Sequence, residues 1–339
     1  MTSAVDPRAL VAGILDGNRR ALARALTHIE NESSHAPALL DALYPHTGRA
    51  ILVGVTGAPG TGKSSLVNAL ALHVRKQSRS VGIVAVDPSS PFSQGAVLGD
   101  RIRMRDLAGD SGVFIRSMAT RGSLGGLSRT TSDVVRALDA AGFDVIIIET
   151  VGAGQSEVAI ASTAQTVLVV DAPGLGDDIQ ATKAGILEIA DILVVNKADL
   201  PGALKSVQSL KAMLDLGHRM TTVAHHGRLL TQNDGQPDPE IDTWQIPVLQ
   251  TVATSNEGIE EVFAAILAHQ EHLHRSGIGA ERESARLQTE LAERMSSALL
   301  NRWQAVTDAD AIGMALERIA SRDLTPAAAV RQFLQDMEF

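Results

Sequence analysis

A glycine-rich stretch between a strand and a helix constrains this sequence more than any other feature. Residues 50–56 form a short apolar run that predicts a buried strand, and residues 66–74 carry apolar side chains at helical spacing. A glycine-rich turn between them lets several backbone N–H groups point at one anion, and the helix adds the positive end of its dipole. The stretch therefore predicts a phosphate-binding P-loop, in which Lys63 neutralises phosphate charge and the Ser64 hydroxyl holds Mg²⁺. The loop reads Gly57-Ala58-Pro59-Gly60-Thr61-Gly62-Lys63-Ser64-Ser65.

The composition excludes several classes of protein. The chain has 339 residues, of which 45% are hydrophobic, so it can bury a substantial core. A formal net charge of −9 and an aromatic content of 3% argue against nucleic-acid binding. No cysteine is present, which rules out disulfides and thiolate metal sites. We find no secretory signal pattern and no apolar run of membrane-spanning length, so we expect a cytoplasmic protein without a membrane partner.

The apolar pattern divides the chain into three parts. Residues 1–46 have helical spacing and predict an N-terminal helical extension. Residues 47–268 alternate strands and helices, which predicts an α/β domain with a mainly parallel sheet flanked by helices. Residues 269–339 predict a C-terminal helical arm, whose apolar stripe needs a partner surface that dimerisation would supply. The candidate strands are residues 51–56, 81–86, 112–116, 144–149, 166–171, 191–196 and 247–252.

Three carboxylates lie at or after predicted strand ends. Asp87 and Asp100 belong to a stretch rich in proline, serine and glycine, and Glu149 ends a strand three residues before Gly152. This last spacing matches the Asp-x-x-Gly switch of GTPases, with glutamate in place of aspartate. The pattern favours Mg²⁺ organised by the three carboxylates and a Gly152 N–H that senses the γ-phosphate. A solvated surface loop is the alternative for residues 87–100.

Two further segments bear on hydrolysis and on coupling to a partner. In Ras-like enzymes the residue after the switch glycine is a glutamine that orients the attacking water, whereas this chain has Ala153, with Gln155 two positions further on. We therefore expect slow intrinsic hydrolysis. Residues 171–185 follow a strand and offer Asp177 and Lys183 as a second nucleotide-sensing element, although Asp177 could instead cap a helix.

The sequence Asn196-Lys197-Ala198-Asp199 at a strand end predicts the nucleobase. The Asp199 carboxylate can accept hydrogen bonds from guanine N1–H and from the guanine 2-amino group, which adenine does not offer in that arrangement. The motif therefore selects GTP over ATP. The loop Ala253-Thr254-Ser255, which follows the last strand, is expected to contact the base through backbone N–H groups.

Taken together, these motifs resemble the MeaB/ArgK-like G proteins, the family of the methylmalonic aciduria type A protein. These proteins are GTPase chaperones of adenosylcobalamin-dependent acyl-CoA mutases such as methylmalonyl-CoA mutase. The resemblance covers nearly the whole chain. Its most specific stretches, which ordinary GTPases lack, are Asp87-Pro-Ser-Ser-Pro, residues 98–104, Gly125-Gly126-Leu127 and residues 149–157.

The resemblance implies a role for each site residue. Lys63 and Ser64 would hold phosphate and Mg²⁺, with the three carboxylates around the metal. Members are homodimers through the C-terminal arm, and adenosylcobalamin belongs to the partner mutase. Guanine would be read by Asn196, Lys197 and Asp199, with help from Ala253, Thr254 and Ser255. Coupling to the mutase would involve Gln94, Gln155, Asp177 and Lys183.

The chain departs from the family pattern in one loop, and other functions remain open. Gln94-Gly95 stands where relatives usually carry a glycine pair, which affects partner coupling because a side chain restricts the loop. A metal-delivery G protein of the nickel-insertion type is the alternative function, opposed by the lack of cysteine. A kinase or ATPase is opposed by the Asn-Lys-x-Asp motif. The client could be a methylmalonyl-CoA, isobutyryl-CoA or 2-hydroxyisobutyryl-CoA mutase.

Overall fold

The computed structural model comprises two compact units, Met1–Gly279 and Ala280–Phe339. Several of the residues singled out above lie outside the described part of the chain, namely Gln94, Gly95, Asp100, Gly125, Gly126, Leu127, Gly152, Ala153, Gln155, Asp177 and Lys183. The structure describes residues 6–88, 104–107, 109–120, 129–150, 160, 163–174, 188–219, 224–225, 228–229 and 243–336.

Three short helices open the chain where the apolar spacing predicts them. They are α1 (Pro7–Leu15), α2 (Arg19–Glu30) and α3 (Ala36–Leu43), followed by a single 3₁₀ turn. The Asp6 side chain accepts a hydrogen bond from the Arg8 N–H, and the Asn18 side chain accepts from two N–H groups of the first turn of α2. These caps satisfy donors that a helix start leaves unpaired.

The strands within the described residues are β1 (Ile51–Thr56), β2 (Val81–Pro88), β3 (Val113–Thr120), β4 (Val145–Thr150), β5 (Thr166–Asp171), β6 (Ile192–Asn196), β7 (Ala224–His225), β8 (Arg228–Leu229) and β9 (Val248–Thr251). Seven of them form one parallel sheet in the order β3-β2-β4-β1-β5-β6-β9. The predicted fold class, a P-loop α/β domain with a largely parallel sheet, is confirmed. The two-residue strands β7 and β8 form a separate antiparallel pair.

Helices cover both faces of the sheet, because alternate strand residues point to opposite sides. On one face, the buried side chains of α1, α2 and α3 join those of α5 (Arg129–Ala140) and α6 (Ala203–Arg219). On the other face, α4 (Lys63–Lys76) and α7 (Ile259–Ser276) pack together with strand residues such as Val53 and Val194. This two-sided burial explains why the strands read as nearly continuous apolar runs.

An ion pair fixes the C-terminal part of α4. Arg75 donates from Nε to Asp110 Oδ2 at 2.9 Å and from Nη2 to Asp110 Oδ1 at 3.0 Å. Hydrogen bonds from Arg75 and from the Gly112 N–H lower the pKa of Asp110 below its usual range. The pair thereby ties α4, which begins at the P-loop, to the turn that leads into β3.

The second unit is helical and strongly amphipathic. It contains most of α8 (Ile278–Val306) together with α9 (Ala309–Ala320) and α10 (Pro326–Asp336), and Trp303 packs edge-on against Phe333. Within the described residues, no helix is both long and apolar enough to cross a membrane. Large apolar side chains are exposed on these helices, at Leu287, Leu291, Met295, Leu299, Leu300, Val306, Met314, Leu316, Val330 and Leu334.

Candidate nucleotide-binding site

The loop between β1 and α4 has the backbone conformation that a P-loop needs. Gly57, Gly60 and Gly62 have φ angles of +137°, +83° and +89°, which side chains other than glycine rarely adopt. A Cβ atom on Gly57 would lie 2.1 Å from the Val170 carbonyl oxygen, and one on Gly62 would lie 2.4 Å from Asn196 Nδ2. The first and third glycines are therefore required by close packing as well as by conformation.

Replacing Gly57 by alanine is expected to destabilise the protein much more than the same change at Gly60. Both positions have a positive φ, which costs about 1–3 kcal/mol for alanine. Only Gly57 adds a clash with backbone, because nothing lies within 4 Å of a Cβ on Gly60. The free energy of unfolding, measured by urea denaturation, should fall by at least about 2 kcal/mol more for Gly57→Ala. Equal losses in the two variants would contradict this packing argument.

The lysine and serine that follow the glycines are both buried and both held in place. Lys63 Nζ donates to the carbonyl oxygens of Gly57 at 2.8 Å and Ala58 at 3.0 Å. Ser64 Oγ donates to Glu149 Oε1 at 2.6 Å, although the two residues are 85 positions apart. They meet because β1 and β4 are parallel neighbours, so their C-terminal ends share one edge of the sheet. The structure thus brings three of the predicted site residues together.

A buried hydroxyl beside a buried carboxylate is a donor set that fits Mg²⁺, which prefers oxygen ligands. Glu149 is only 1% exposed, so a cation at this point would be shielded from water on the protein side. Asp87 is the penultimate residue of β2, in register with Ala119 of β3, and its backbone therefore reaches the same edge of the sheet. Its side chain lies outside the described part of the structure.

Asn196 connects the P-loop to the last strand. Its Nδ2 donates to the carbonyl oxygen of Thr61 at 2.8 Å, and its Oδ1 accepts from Thr251 Oγ1 at 3.1 Å and from the Ala253 N–H at 3.2 Å. A longer contact of 3.4 Å joins Nδ2 to the Gly62 carbonyl oxygen. The side chain is 2% exposed and has both ends engaged. In this structure Asn196 therefore fixes the shape of the site rather than presenting an open hydrogen-bonding edge.

Lys197 and Asp199 follow in a tight turn. Lys197 has a φ of +58°, and its Nζ donates to the Gly60 carbonyl oxygen at 2.8 Å, so its aliphatic stem reaches from the end of β6 to the P-loop. The Asp199 side chain is exposed. A carboxylate in this position can accept hydrogen bonds from a bound base at little cost in dehydration.

One cavity of about 240 Å³ joins the three predicted segments. It contains parts of the P-loop, of the Asn-Lys-x-Asp turn and of the loop after β9, which the sequence analysis placed at the same site. The lining residues are Gly62, Ser65, Asn196, Lys197, Asp199, Leu200, Val252, Ala253 and Thr254.

The loop after β9 uses two of its three N–H groups internally. The Ala253 N–H binds Asn196, and the Ser255 N–H donates to the Val252 carbonyl oxygen at 3.0 Å. A β-bridge between Val252 and Glu257 closes the loop, and Ser255 Oγ donates to Glu257 Oε1 at 2.7 Å. Of the three groups expected to contact the base, the Thr254 N–H is therefore the one to test first.

Thr251 is a site residue that the sequence analysis missed. It is 1% exposed and is paired in register with Asn196 across β6 and β9. The register of these strands would have indicated it, but register is not visible in the sequence. Since Thr251 Oγ1 and the Ala253 N–H both donate to Asn196 Oδ1, they fix which way the amide faces and keep its nitrogen toward the P-loop.

Thr251→Val is expected to weaken GDP binding about tenfold, because the near-isosteric valine removes one of two donors that orient Asn196. Thr251→Ser retains the hydroxyl and should restore most of the affinity. Isothermal titration of GDP into the three proteins would measure both effects. Valine and serine variants that bind equally would show that the hydroxyl has no orienting role.

A P-loop and an Asn-Lys-x-Asp turn border one cavity, and a buried Ser–Glu pair lies at the start of the helix that follows the P-loop. Together these features define the class of P-loop GTPases. The model of the family described as methylmalonyl-CoA mutase-associated GTPase MeaB matches residues 22–308. The chain belongs to this MeaB family, and it is a GTPase.

Individual relatives agree with this assignment. A protein of Pyrococcus abyssi whose name describes it as a GTPase is 43% identical over 328 residues, which cover 97% of this chain and 96% of that one. The mitochondrial methylmalonic aciduria type A homolog of Mus musculus is 31% identical over 81% of this chain and 66% of its own length. The crystal structure of a LAO/AO transport system kinase matches with a TM-score of 0.68 and 26% identity, covering 98% of this chain and 99% of that one.

Proposed function

We propose that this GTPase is a chaperone of an adenosylcobalamin-dependent acyl-CoA mutase. GTP binding and hydrolysis gate the loading of cofactor into the mutase and protect it from inactivation. The observation that carries the proposal is the match to a family model whose description names methylmalonyl-CoA mutase. This match extends from α2 to just beyond the end of α8. The name of the mouse relative, which refers to methylmalonic aciduria, supports the same client class.

The contacts of the site residues support the roles that we propose for them. Lys63, held at the P-loop carbonyls, is placed to neutralise phosphate charge, and the start of α4 adds its N–H groups and its dipole. Ser64 and Glu149 would hold Mg²⁺ together with Asp87 and Asp100, and the ion would offset negative charge on the transferred phosphoryl group. Ser64 donates to Glu149 at 2.6 Å, so the two oxygen groups lie side by side.

The C-terminal helices support a homodimer. We assign residues 1–46 to a helical extension, 47–268 to the GTPase domain and 269–339 to the dimerisation arm of a cytoplasmic protein. No residue of α8 is buried, and its large apolar side chains Leu291, Met295 and Leu300 are each more than half exposed. An exposed apolar stripe of this kind is costly in water, and a second copy of the arm would cover it.

Capture of purified mutases tests the client assignment. Candidate methylmalonyl-CoA, isobutyryl-CoA and 2-hydroxyisobutyryl-CoA mutases would each be passed over the immobilised protein with a non-hydrolysable GTP analogue, with GDP, or without nucleotide. One mutase should bind in a nucleotide-dependent way and accelerate GTP hydrolysis. Failure of all three to bind in any state would contradict the proposal while leaving the GTPase assignment intact.

The coupling residues can be tested with the client that binds. Substituting Gln94, Gln155, Asp177 or Lys183 by alanine should reduce the client-stimulated rate of GTP hydrolysis while leaving GDP affinity within about twofold of the wild type. The metal-delivery function would be favoured instead if nickel transfer to a metalloenzyme accelerated GTP hydrolysis and no mutase did so.

A further inference from the structure

Gly54 leaves a notch in the central strand of the sheet. It belongs to β1 and is not among the glycines with a positive φ angle, so an alanine could adopt its backbone conformation. Space is what requires a glycine here, because a Cβ atom would lie 2.8 Å from Ile160 Cγ1 and 2.9 Å from Ala164 Cβ. Ile148 of β4 and Val167 of β5 are the partners of Gly54 in register, so the notch lies between two larger side chains.

One helical turn, which follows β4 in the chain, fills this notch. The Ala164 N–H donates to the Ile160 carbonyl oxygen at 2.9 Å and so closes the turn. Ile160 is completely buried and belongs to the same core cluster as Ile148 and Val167. Because Gly54 has no side chain, the turn lies closer to the sheet than any other residue on β1 would allow.

The same face of β1 holds both ends of residues 151–159, a segment that lies outside the described part of the chain. Before the segment, the buried Thr150 hydroxyl donates to the Thr56 hydroxyl at 3.2 Å. After it, Ile160 lies on Gly54, which is two positions from Thr56 and therefore on the same face of the strand. Since β1 leads directly into the P-loop, both attachments share the strand that positions the phosphate-binding loop.

We propose that Gly54 and Ile160 are positioning residues, which fix the far end of residues 151–159 on β1 and thereby support recognition of the γ-phosphate of GTP. The segment contains Gly152, whose N–H the sequence predicts to sense that phosphate, and the proposal rests on this role. A sensing N–H must be held at a fixed distance from the P-loop, and a shared strand supplies that reference. A misplacement of about 1 Å at such a site costs up to about 100-fold in rate. The proposal is independent of the client mutase.

Gly54→Ala should lower the affinity for a non-hydrolysable GTP analogue about tenfold and leave GDP affinity within about twofold of the wild type. Because β1 is paired with β4 and β5 on its two sides, the turn at Ile160 must move by roughly 0.7 Å to reach an ordinary carbon–carbon contact. Gly82→Ala is the matched control, since Gly82 is a buried strand glycine whose added Cβ would meet its nearest neighbour at 3.4 Å. The control should change neither affinity.

Changes on the other side of the contact keep the test decisive if Gly54→Ala folds poorly. Ile160→Ala removes the anchoring side chain and should lower the affinity for the GTP analogue, relative to GDP, about fivefold. Ile14→Ala truncates an isoleucine of α1 in the same core cluster, so it should lose comparable stability without changing that ratio. Gly54→Ala combined with Ile160→Ala lacks the isoleucine atoms at 2.8 and 3.0 Å, and should bind the analogue more tightly than Gly54→Ala alone.

Isothermal titration of the GTP analogue and of GDP, well below the melting temperature of each variant, measures the ratio of the two affinities. Gly152→Ala adds a methyl group at the predicted sensor and should lower the ratio. If it does so while Gly54→Ala and Ile160→Ala keep the wild-type ratio, the notch has no positioning role. An equal fall in Ile14→Ala or Gly82→Ala would assign the effect to lost stability and overturn the proposal. An unchanged ratio in Gly152→Ala would refute the sensor itself, and the proposal with it.

Discussion

Asp199→Asn is expected to lower GTP affinity by at least about a thousandfold and to create affinity for xanthosine triphosphate. We propose that the carboxylate accepts from guanine N1–H and from the 2-amino group, and a site built for such groups discriminates by about 10⁴–10⁵ when a polar partner is missing. Asparagine replaces one acceptor oxygen by an NH₂ donor, which opposes the 2-amino group of guanine and complements the 2-oxo group of xanthine. Since Asp199 is exposed, the fold should be unaffected.

Competition of GTP, xanthosine triphosphate and ATP against a fluorescent nucleotide would measure this change. Asp215→Asn provides the control, because Asp215 is an exposed carboxylate of α6 that does not line the cavity. The wild type and the control should prefer GTP, and Asp199→Asn should prefer xanthosine triphosphate. An Asp199→Asn protein that still prefers GTP would show that another group reads the base.

Lys63→Ala is expected to reduce GDP and GTP affinity by about a thousandfold, which amounts to loss of binding at micromolar concentrations. Lys63 is 7% exposed, and its ammonium group lies at the P-loop, where it would face two phosphates in a site largely closed to water. Removing one partner of such a desolvated charge pair costs about 2–5 kcal/mol or more. Lys76→Ala, at the exposed last turn of the same helix, should have no effect on binding.

The Lys63→Ala variant also tests whether the C-terminal arm is sufficient for dimerisation. Lys63 lies in the unit Met1–Gly279, whereas the exposed apolar stripe lies in Ala280–Phe339, so nucleotide loss should leave the proposed dimer intact. Light scattering of the Lys63→Ala protein with and without GDP would report its mass. If the variant were monomeric while the wild type is dimeric, the arm would not be sufficient for dimerisation.

The strands were predictable because both faces of the sheet are covered. A strand such as β4 is buried along its whole length, so its sequence is an apolar run that needs no knowledge of its neighbours. Glu149 was also predictable as a site residue, since a carboxylate at the end of such a run cannot be there for packing alone. Its hydrogen bond to Ser64 could be expected only once β1 and β4 were known to be adjacent.

The contacts that shape the cavity were not predictable in the same way. Thr251 is an ordinary strand residue in the sequence, and its role depends on the β6–β9 register that places it opposite Asn196. Leu200 resembles any apolar residue after a turn, because exposure to a cavity is a property of the folded chain. The motif at residues 196–199 predicted guanine as the base. It did not predict that the Asn196 amide donates a hydrogen bond to a P-loop carbonyl group, because that contact depends on which loops are neighbours in the fold.

The hydrogen bonds of Asn196 have a consequence for the thermodynamics of nucleotide binding. They join the P-loop and the loop after β9 through groups of the protein alone, so the conformational entropy of ordering these two segments is lost during folding and not during binding. The free energy of the contacts with the base and with the β-phosphate then contributes almost fully to the dissociation constant, because it is not offset by a cost of ordering these segments. Any large heat or entropy change on GTP binding should therefore originate from other parts of the chain.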